Sequence, residues 1–541
     1  MSERPVVKES EAASEKDAGR RKRQLVVHPL LFAAFPVLYL FAHNIQEGVS
    51  AGDLLRALVP IIGAAGILFA IATLVLRDYR KAGLVVSALV LLFFSYGHVY
   101  LAVKGWRIGG VSVGRHAVLG TLWILLIAGV LLLSIRTKRG LHELTTVLNV
   151  VAAGLVLLNS ITVIQFQARS SAAEKAAIKQ GNAGFQGHLP DPDEVRKREG
   201  GGTPATTPRD VYYIILDTYS GETGLRKVFN FDNTAFLSWL ESRGFYVAHK
   251  STANYPRTML SVASSLNMEY LDFLTRELGE ETNDVRPLTR LMKYNRVARF
   301  LKSVGYQYTQ IGSWWGPTSA SPTADRNVIY GGGSEFDKVL YQTTALQPIR
   351  HEEFRRHEWK RVQFQFDALE KTKTLKGPKF VFAHILLPHS PFVFYPDGRY
   401  RPEKDLNPSR EQNYLDQLEY ANSRTKRMLN VLLSGPESSH PIVLLQSDEG
   451  PYEGAPTIWG KPAAKDLIRK FPNLNTYYLP GVSHADLYPT ITPVNSFRLV
   501  FNLYFGANLA MLPDRDYVFR SLRRVYDFRD VTDEVRTLMS G

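Results

Sequence analysis

The sequence predicts a two-part membrane protein: an N-terminal five-helix transmembrane bundle followed by a C-terminal α/β domain with a mostly parallel sheet. Three observations carry this expectation. Five stretches in the first third of the chain stay apolar on every helical face for the length a bilayer requires. From Asp210 onward, short β-branched and aromatic runs alternate with longer amphipathic stretches. A segment rich in Gly, Pro and charge separates the two regimes.

At 541 residues the chain exceeds what one hydrophobic core can organise, so at least two structural units are expected. The hydrophobic fraction, 45%, is ordinary, yet its apolar residues crowd toward the N-terminus, so the average conceals a membrane region. The absence of cysteine excludes a disulfide framework, a thiolate zinc site and a cysteine nucleophile. A net charge of +14 raises the question of nucleic acid. No basic stripe with interleaved aromatics and no helix-turn-helix or zinc-finger spacing accompanies it, so no nucleic-acid partner is expected.

The expected spans are 26–43, 54–76, 82–103, 117–135 and 144–166, each close to the roughly 20 residues that cross about 30 Å of hydrocarbon. The first is followed by four more, which makes it an anchor and not a cleaved leader. Basic residues mark the cytoplasmic side of a membrane. They cluster at Arg20, Arg21, Lys22 and Arg23 before the first span, at Arg77, Arg80 and Lys81, and at Arg136, Lys138 and Arg139. Lys104, Arg107 and Arg115 are the only contrary signal. This alternation places the N-terminal tail, 1–25, inside, and an odd number of spans places everything after 166 outside a cell membrane. Arg56 sits at a span end, so no ion or proton pathway is indicated.

Residues 167–209 read as a linker, with a short helical patch and then Gly200, Gly201, Gly202, Pro204 and Pro208. Residues 210–541 form the extracytoplasmic domain. In it VYYIIL (211–216), KFVFAHILL (379–387) and PIVLLQ (441–446) have strand length and are apolar on both faces, as buried parallel strands are. Helices are expected over 233–242, 287–304 and 414–433.

Ligands of open α/β sheets bind beyond the carboxyl ends of the strands. The first run ends in Asp217, within LDTYS, and the last in Asp448 and Glu449, within QSDEGP. Carboxylates at two strand ends suit a hard cation, although each alone could cap a turn. In NYPRTMLSVASSLNM, Arg257 and Thr258 stand where a helix begins, with free amides that favour an anion. A hydroxyl there is either an ordinary N-cap or a nucleophile activated by a neighbouring cation. HILLPHSPF supplies His384 inside a strand and His389 in the loop beyond it, the latter expected nearer the reacting group.

LDTYS, NYPRTMLSVASSLNM, LPHSPF and SDEGP, in that order and at those separations, resemble the alkaline phosphatase superfamily in its sulfatase-like branch. The five spans ahead of an outward-facing domain further resemble lipoteichoic acid synthases and lipid A phosphoethanolamine transferases. The resemblance implies one divalent metal held by Asp217, Thr258 and Asp448, with Glu449 where the family has His. That all-oxygen set would favour manganese or magnesium over zinc. It also implies Thr258 as nucleophile. From their positions His389 is expected to be a catalytic proton-transfer group and Arg257 and His384 substrate contacts, with a structural role inside the strand as the other reading of His384. Sulfatases oxidise a Cys or Ser in a C/S-x-P-x-R motif, which NYPRT lacks, so sulfate ester hydrolysis is not expected. The additional Asp and paired His of two-metal phosphatases are missing too. The expected activity is transfer or hydrolysis of a phospho-head group, with a membrane lipid as donor and an envelope glycan or lipid as acceptor. The alternatives are a binding protein whose site Glu449 has disabled, or a hydrolase of other extracytoplasmic esters.

Overall fold

The computed structural model describes residues 24–540 apart from 46–48, 50, 110, 138–140, 184, 186, 200–207, 332 and 455–456. The tail with Arg20 to Arg23, the loop residues Lys138 and Arg139, and the linker residues Gly200 to Pro204 lie outside the described residues. The chain divides into two compact units. One comprises Met1–Ala42, Ala51–Val163 and Leu340–Pro348; the other comprises His43–Ser50, Ile164–Val339 and Ile349–Gly541.

The first unit is built on helices α1 (His28–Asn44), α2 (Ala51–Leu76), α3 (Tyr79–Val103), α4 (His116–Arg136) and, as far as Val163, α5 (Leu141–Ala183). Four of the segments, Ala51–Leu76, Tyr79–Val103, His116–Arg136 and Leu141–Ala168, are long and apolar enough to cross a membrane. The expected count of five is not reached, because α1 has 17 residues. At 1.5 Å per residue that is roughly 26 Å, short of the hydrocarbon thickness. The start of α1 is fixed by Asn149 of α5, whose side chain accepts from the backbone N–H groups of Val27 and His28 at 3.1 and 2.9 Å. Val26 and Val27, apolar in sequence, therefore precede the helix. α3 is N-capped by Asp78, which accepts from Arg80 and Lys81. The expected linker is largely helical at its start, since α5 runs on to Ala183. Leu340–Pro348, which the sequence pattern assigned to the α/β domain, packs within the helical unit.

The second unit is organised by a seven-stranded sheet. In chain order its strands are β1 (Val211–Leu216), β2 (Tyr246–Val247), β3 (Gln307–Ile311), β4 (Arg326–Val328), β5 (Lys379–Ile385), β6 (Ile442–Gln446) and β7 (Asn475–Tyr478). Their spatial order is β2-β7-β6-β1-β5-β3-β4. β1 pairs in parallel with β5 on one side and β6 on the other, and β3 is parallel to both β5 and β4. β7 runs antiparallel to β6 and β2. Alternate β1 side chains feed two cores: Val211, Tyr213 and Ile215 join one, and Tyr212, Ile214 and Leu216 the other. This two-sided burial is why the strand reads as a continuous apolar run. Helix α6 (Thr258–Asn267) and helix α9 (Pro493–Phe505) supply the first core, while α7 (Gln347–Thr372) and α8 (Arg410–Leu432) supply the second.

The three expected strands are present as β1, β5 and β6. The helix expected over 287–304 is instead two, Arg286–Lys293 and Arg296–Ser303. Asn295 causes the division, since its side chain caps the second helix by accepting from the Ala298 N–H at 2.7 Å. Strand β7 has no apolar signature in NTYY and was not expected.

Candidate functional site

β6, β1 and β5 are neighbours and parallel, so their carboxyl ends deliver three sequence segments to one place. In register, Ile215 of β1 stands beside His384 of β5 and Gln446 of β6. Asp217 therefore leaves β1 next to His384, and Asp448 leaves β6 on the other flank. One ligand atom from each of Asp217, His384 and Asp448 lies within 4.8 Å of the others, and all three residues are buried. The turn that sets this up is strained: Thr218 adopts a left-handed φ of 61°, and its N–H donates to Asp448 Oδ1 at 3.0 Å.

Each member keeps one atom with no hydrogen-bond partner among the described residues: Asp217 Oδ1, His384 Nε2 and Asp448 Oδ2. The other ring nitrogen of His384 is engaged, with Nδ1 3.0 Å from the Thr318 hydroxyl, which in turn bonds Ser313 at 2.8 Å. If Nδ1 carries the proton, Nε2 turns a lone pair toward Asp217, whose Oδ2 is 3.7 Å away. Burial, then Asp448 and Glu449, push the Asp217 carboxyl well above its usual range. Burial pushes the His384 imidazole down to about 4. Three orphaned donors of metal-ligand type, converging where negative charge is in excess, fit a divalent cation.

Glu449 stands beside this group and outside it. Its Oε2 is 3.0 Å from Lys470 Nζ, and its Oε1 accepts from the Tyr452 hydroxyl at 2.7 Å and from the Thr258 hydroxyl at 3.3 Å. Lys470 is brought in by the SDEG glycine. A Cβ on Gly450 would lie 2.1 Å from the Arg469 carbonyl, and the bare backbone lets the Gly450 N–H reach the Lys470 carbonyl at 2.8 Å. Lys470 Nζ also donates to the Gly450 carbonyl at 2.6 Å and sits 3.4 Å above the Tyr452 ring. Burial raises the Glu449 carboxyl, Lys470 opposes the rise and Asp448 adds to it, leaving the group at about 7. The convergent group of ligand-type atoms thus contains the imidazole of His384, while Glu449 forms an ion pair with Lys470.

Thr258 is the first residue of α6, with Arg257 as its N-cap residue in extended conformation. The serines further along are occupied: Ser261 donates to the Tyr255 carbonyl at 2.7 Å, Ser264 to the Glu269 carbonyl at 2.7 Å, and Ser265 accepts from the Tyr213 hydroxyl at 2.9 Å. The Arg257 charge acts on the Tyr452 hydroxyl. His389 lies in the loop after β5, its ring 6.4 Å from that of Tyr452 and 6.5 Å from that of Trp314. Its Nδ1 pairs with the Ser390 carbonyl, and burial lowers its pKa. Beyond Trp314 a recess of about 250 Å³ is lined by Lys338, Arg350, Glu353, His357 and Arg361, among others. Lys470 and Tyr452 were not singled out from the sequence, because a lysine near a helix end and a tyrosine after a turn carry no local signature.

Residues 225–494 match the family model described as Sulfatase. No curated protein matches the chain. Similar solved structures include the C-terminal periplasmic domain of EcEptC from Escherichia coli in complex with Zn, at 12% identity and a TM-score of 0.42, covering 64% of this chain and 95% of that one. The integral membrane lipooligosaccharide phosphoethanolamine transferase A (EptA) from Neisseria meningitidis has 12% identity and a TM-score of 0.36, covering 90% and 96%. The phosphonate monoester hydrolase of Agrobacterium radiobacter has 12% identity and a TM-score of 0.38, covering 57% and 80%. Thr258, His384, His389, Asp448 and Glu449 all fall inside the matched residues, and behind its apolar helices the chain carries a sulfatase-family domain of the alkaline phosphatase-like kind.

Proposed function

We propose that the protein is a membrane-anchored transferase or phosphodiesterase that moves a phosphorus-containing head group from a membrane lipid to an envelope glycan or lipid through a phospho-Thr258 intermediate. One observation carries the reading: the Thr258 hydroxyl opens a buried helix and is hydrogen-bonded to a carboxylate, Glu449, that adjoins three convergent orphaned ligands. Asp217, His384 and Asp448 would hold one divalent cation, which when bound would supply Lewis-acid stabilisation of the charge on a phosphoryl group. Two carboxylates with one imidazole suit zinc or manganese better than magnesium.

The chain's own residues divide the remaining work. Glu449 Oε1 takes the Thr258 proton as Oγ1 forms its bond to phosphorus and the bond to the lipid oxygen breaks, that oxygen taking a proton from water; in the second step Glu449 returns its proton to Oγ1 as the Thr258–phosphorus bond breaks. Lys470 and Tyr452 fix that carboxylate in place. The free amides at the start of α6 and the Arg257 guanidinium face the anionic group. His389 is neutral, and with Nδ1 donating to Ser390 its Nε2 accepts the proton of the incoming hydroxyl in the second step. The recess beyond Trp314 receives the remainder of donor or acceptor. Arg77, Arg80, Lys81 and Arg136 mark the cytoplasmic ends of the apolar helices, which leaves the domain on the outer face of a cell membrane.

The absence of cysteine and of the C/S-x-P-x-R pattern at NYPRT disfavours sulfate ester hydrolysis. Mass spectrometry of protein isolated from its native membrane tests the proposal. A phosphorus-containing adduct is expected on the Thr258 peptide, absent in Thr258→Ala and retained in Ser261→Ala. An adduct on another residue, or wild-type turnover by Thr258→Ala, overturns it.

A further inference from the structure

The helical unit contains a groove of about 570 Å³ lined by Ala33, Pro60, Ala64, Phe93 and Ala345, with the buried Ala65, Phe94 and Trp123 as its floor. It draws on α1, α2, α3 and α4 and on the segment Leu340–Pro348. That segment is bonded into α3. The Gly97 N–H donates to the Thr343 carbonyl at 3.0 Å, and the Ala345 N–H donates to the Phe93 carbonyl at 2.8 Å. Phe93 and Gly97 are one helical turn apart, so a single turn of α3 holds the segment by both of its backbone groups. Only glycine permits this approach, since a Cβ at 97 would lie 2.0 Å from the Gln342 carbonyl. Trp123 is fixed as well, its Nε1 donating to the Leu92 carbonyl at 2.8 Å.

We propose that this groove holds one acyl chain of a membrane lipid. Its lining offers hydrocarbon and aromatic rings, and a recess without polar partners does not retain water. Its volume is in the range of ordinary ligand sites. Next to its lining residues Leu68 and Trp123 the helices expose Ile67, Ile71 and Leu122, and these helices are long and apolar enough to cross a membrane, so bilayer hydrocarbon would surround it. Its floor is different from that surface: Ala65, Phe94 and Trp123 are 4%, 6% and 8% exposed, so a chain lying there enters the bundle and does not merely coat it. The inference is independent of the proposed transfer chemistry, because the groove reads the tail of a lipid and not its head group.

The test places full-length protein in nanodiscs of phosphatidylcholine containing a small fraction of phosphatidylcholine with a diazirine on its acyl chain, followed by irradiation and peptide mapping. Adducts are expected to concentrate on the peptides holding Pro60 to Leu68, Leu89 to Phe94 and Ala345. Filling the groove with Ala64→Trp should reduce those adducts severalfold, whereas Ile124→Trp, on an exposed face, should leave them unchanged. Ala345→Trp fills the groove from the Leu340–Pro348 segment and serves if Ala64→Trp lowers the thermal stability. Adducts spread evenly over the exposed faces of α4 and α5, or undiminished in a stably folded Ala64→Trp or Ala345→Trp protein, overturn the proposal.

Discussion

Lys470 Nζ lies 3.0 Å from Glu449 Oε2, and the two side chains are 1% and 0% exposed. A buried pair of this kind gains little over a well-packed apolar substitute, but breaking it by removing one partner is costly. Lys470→Met would remove the ion-pair partner of Glu449, which stands beside Asp217 and Asp448. It should lower unfolding stability by about 3–5 kcal/mol in denaturant titration of metal-free protein. Lys470→Met combined with Glu449→Gln should recover most of that loss. Losses that simply add in the double variant would show that the pair is not coupled.

The same buried carboxyl gives a pH signature. Glu449 in the folded protein stands at about 7, above an unfolded value of about 4.3. A carboxyl with a raised folded-state pKa binds its proton more tightly when native, so unfolding releases protons and stability falls as pH rises. Asp217 is shifted in the same direction. Chelator-treated protein should therefore lose stability between roughly pH 4 and 7, and Glu449→Gln should flatten part of that slope. Stability that rises over this window in wild type would contradict the burial of these groups.

Metal retention separates ligand from neighbour. Asp217→Asn, Asp448→Asn and His384→Ala each remove one of the three converging atoms, and each should lower the metal content of purified protein by at least tenfold at limiting metal. Glu449→Gln should retain metal while slowing turnover, because its oxygens contact Lys470, Tyr452 and Thr258. Elemental analysis of the four variants decides. Metal lost from Glu449→Gln and kept by His384→Ala would restore the all-oxygen set.

Much of this site is legible in the sequence, and the illegible part has a physical cause. Asp217, Asp448 and His389 announce themselves because each follows an apolar run bounded by turn residues, and Thr258 because it follows Pro256 and Arg257 ahead of a helical pattern. The role of His384 is hidden because it sits inside the strand KFVFAHI, where a histidine reads as a packed core residue. Only the parallel register of β1 with β5 turns it toward Asp217. Lys470 reaches Glu449 through a turn made close by Gly450, a relation between segments 20 residues apart that no local pattern encodes. In the fold, buried parallel strands are readable from composition, whereas β7 is polar in sequence because Asn475 and Thr476 are satisfied by Ser251, Ile491 and Leu445.

Topology is the last expectation open to a direct measurement, and the absence of cysteine makes it a clean one. Single cysteines at Lys104, Thr137 and Asp397 sample the loop after α3, the loop after α4 and the α/β domain. With the basic tail inside, a membrane-impermeant maleimide added to intact cells should label Lys104→Cys and Asp397→Cys and spare Thr137→Cys. Leu25→Cys then decides the status of α1, whose 17 residues fall short of a full span unless the bilayer thins or the flanking Val26 and Val27 are drawn in. If α1 crosses, Leu25→Cys lies inside and is labelled only after lysis. If α1 does not cross, four spans remain and Leu25→Cys is labelled on intact cells together with Lys104→Cys. Labelling of Thr137→Cys in place of Lys104→Cys and Asp397→Cys would invert the whole arrangement and place the sulfatase-family domain in the cytoplasm.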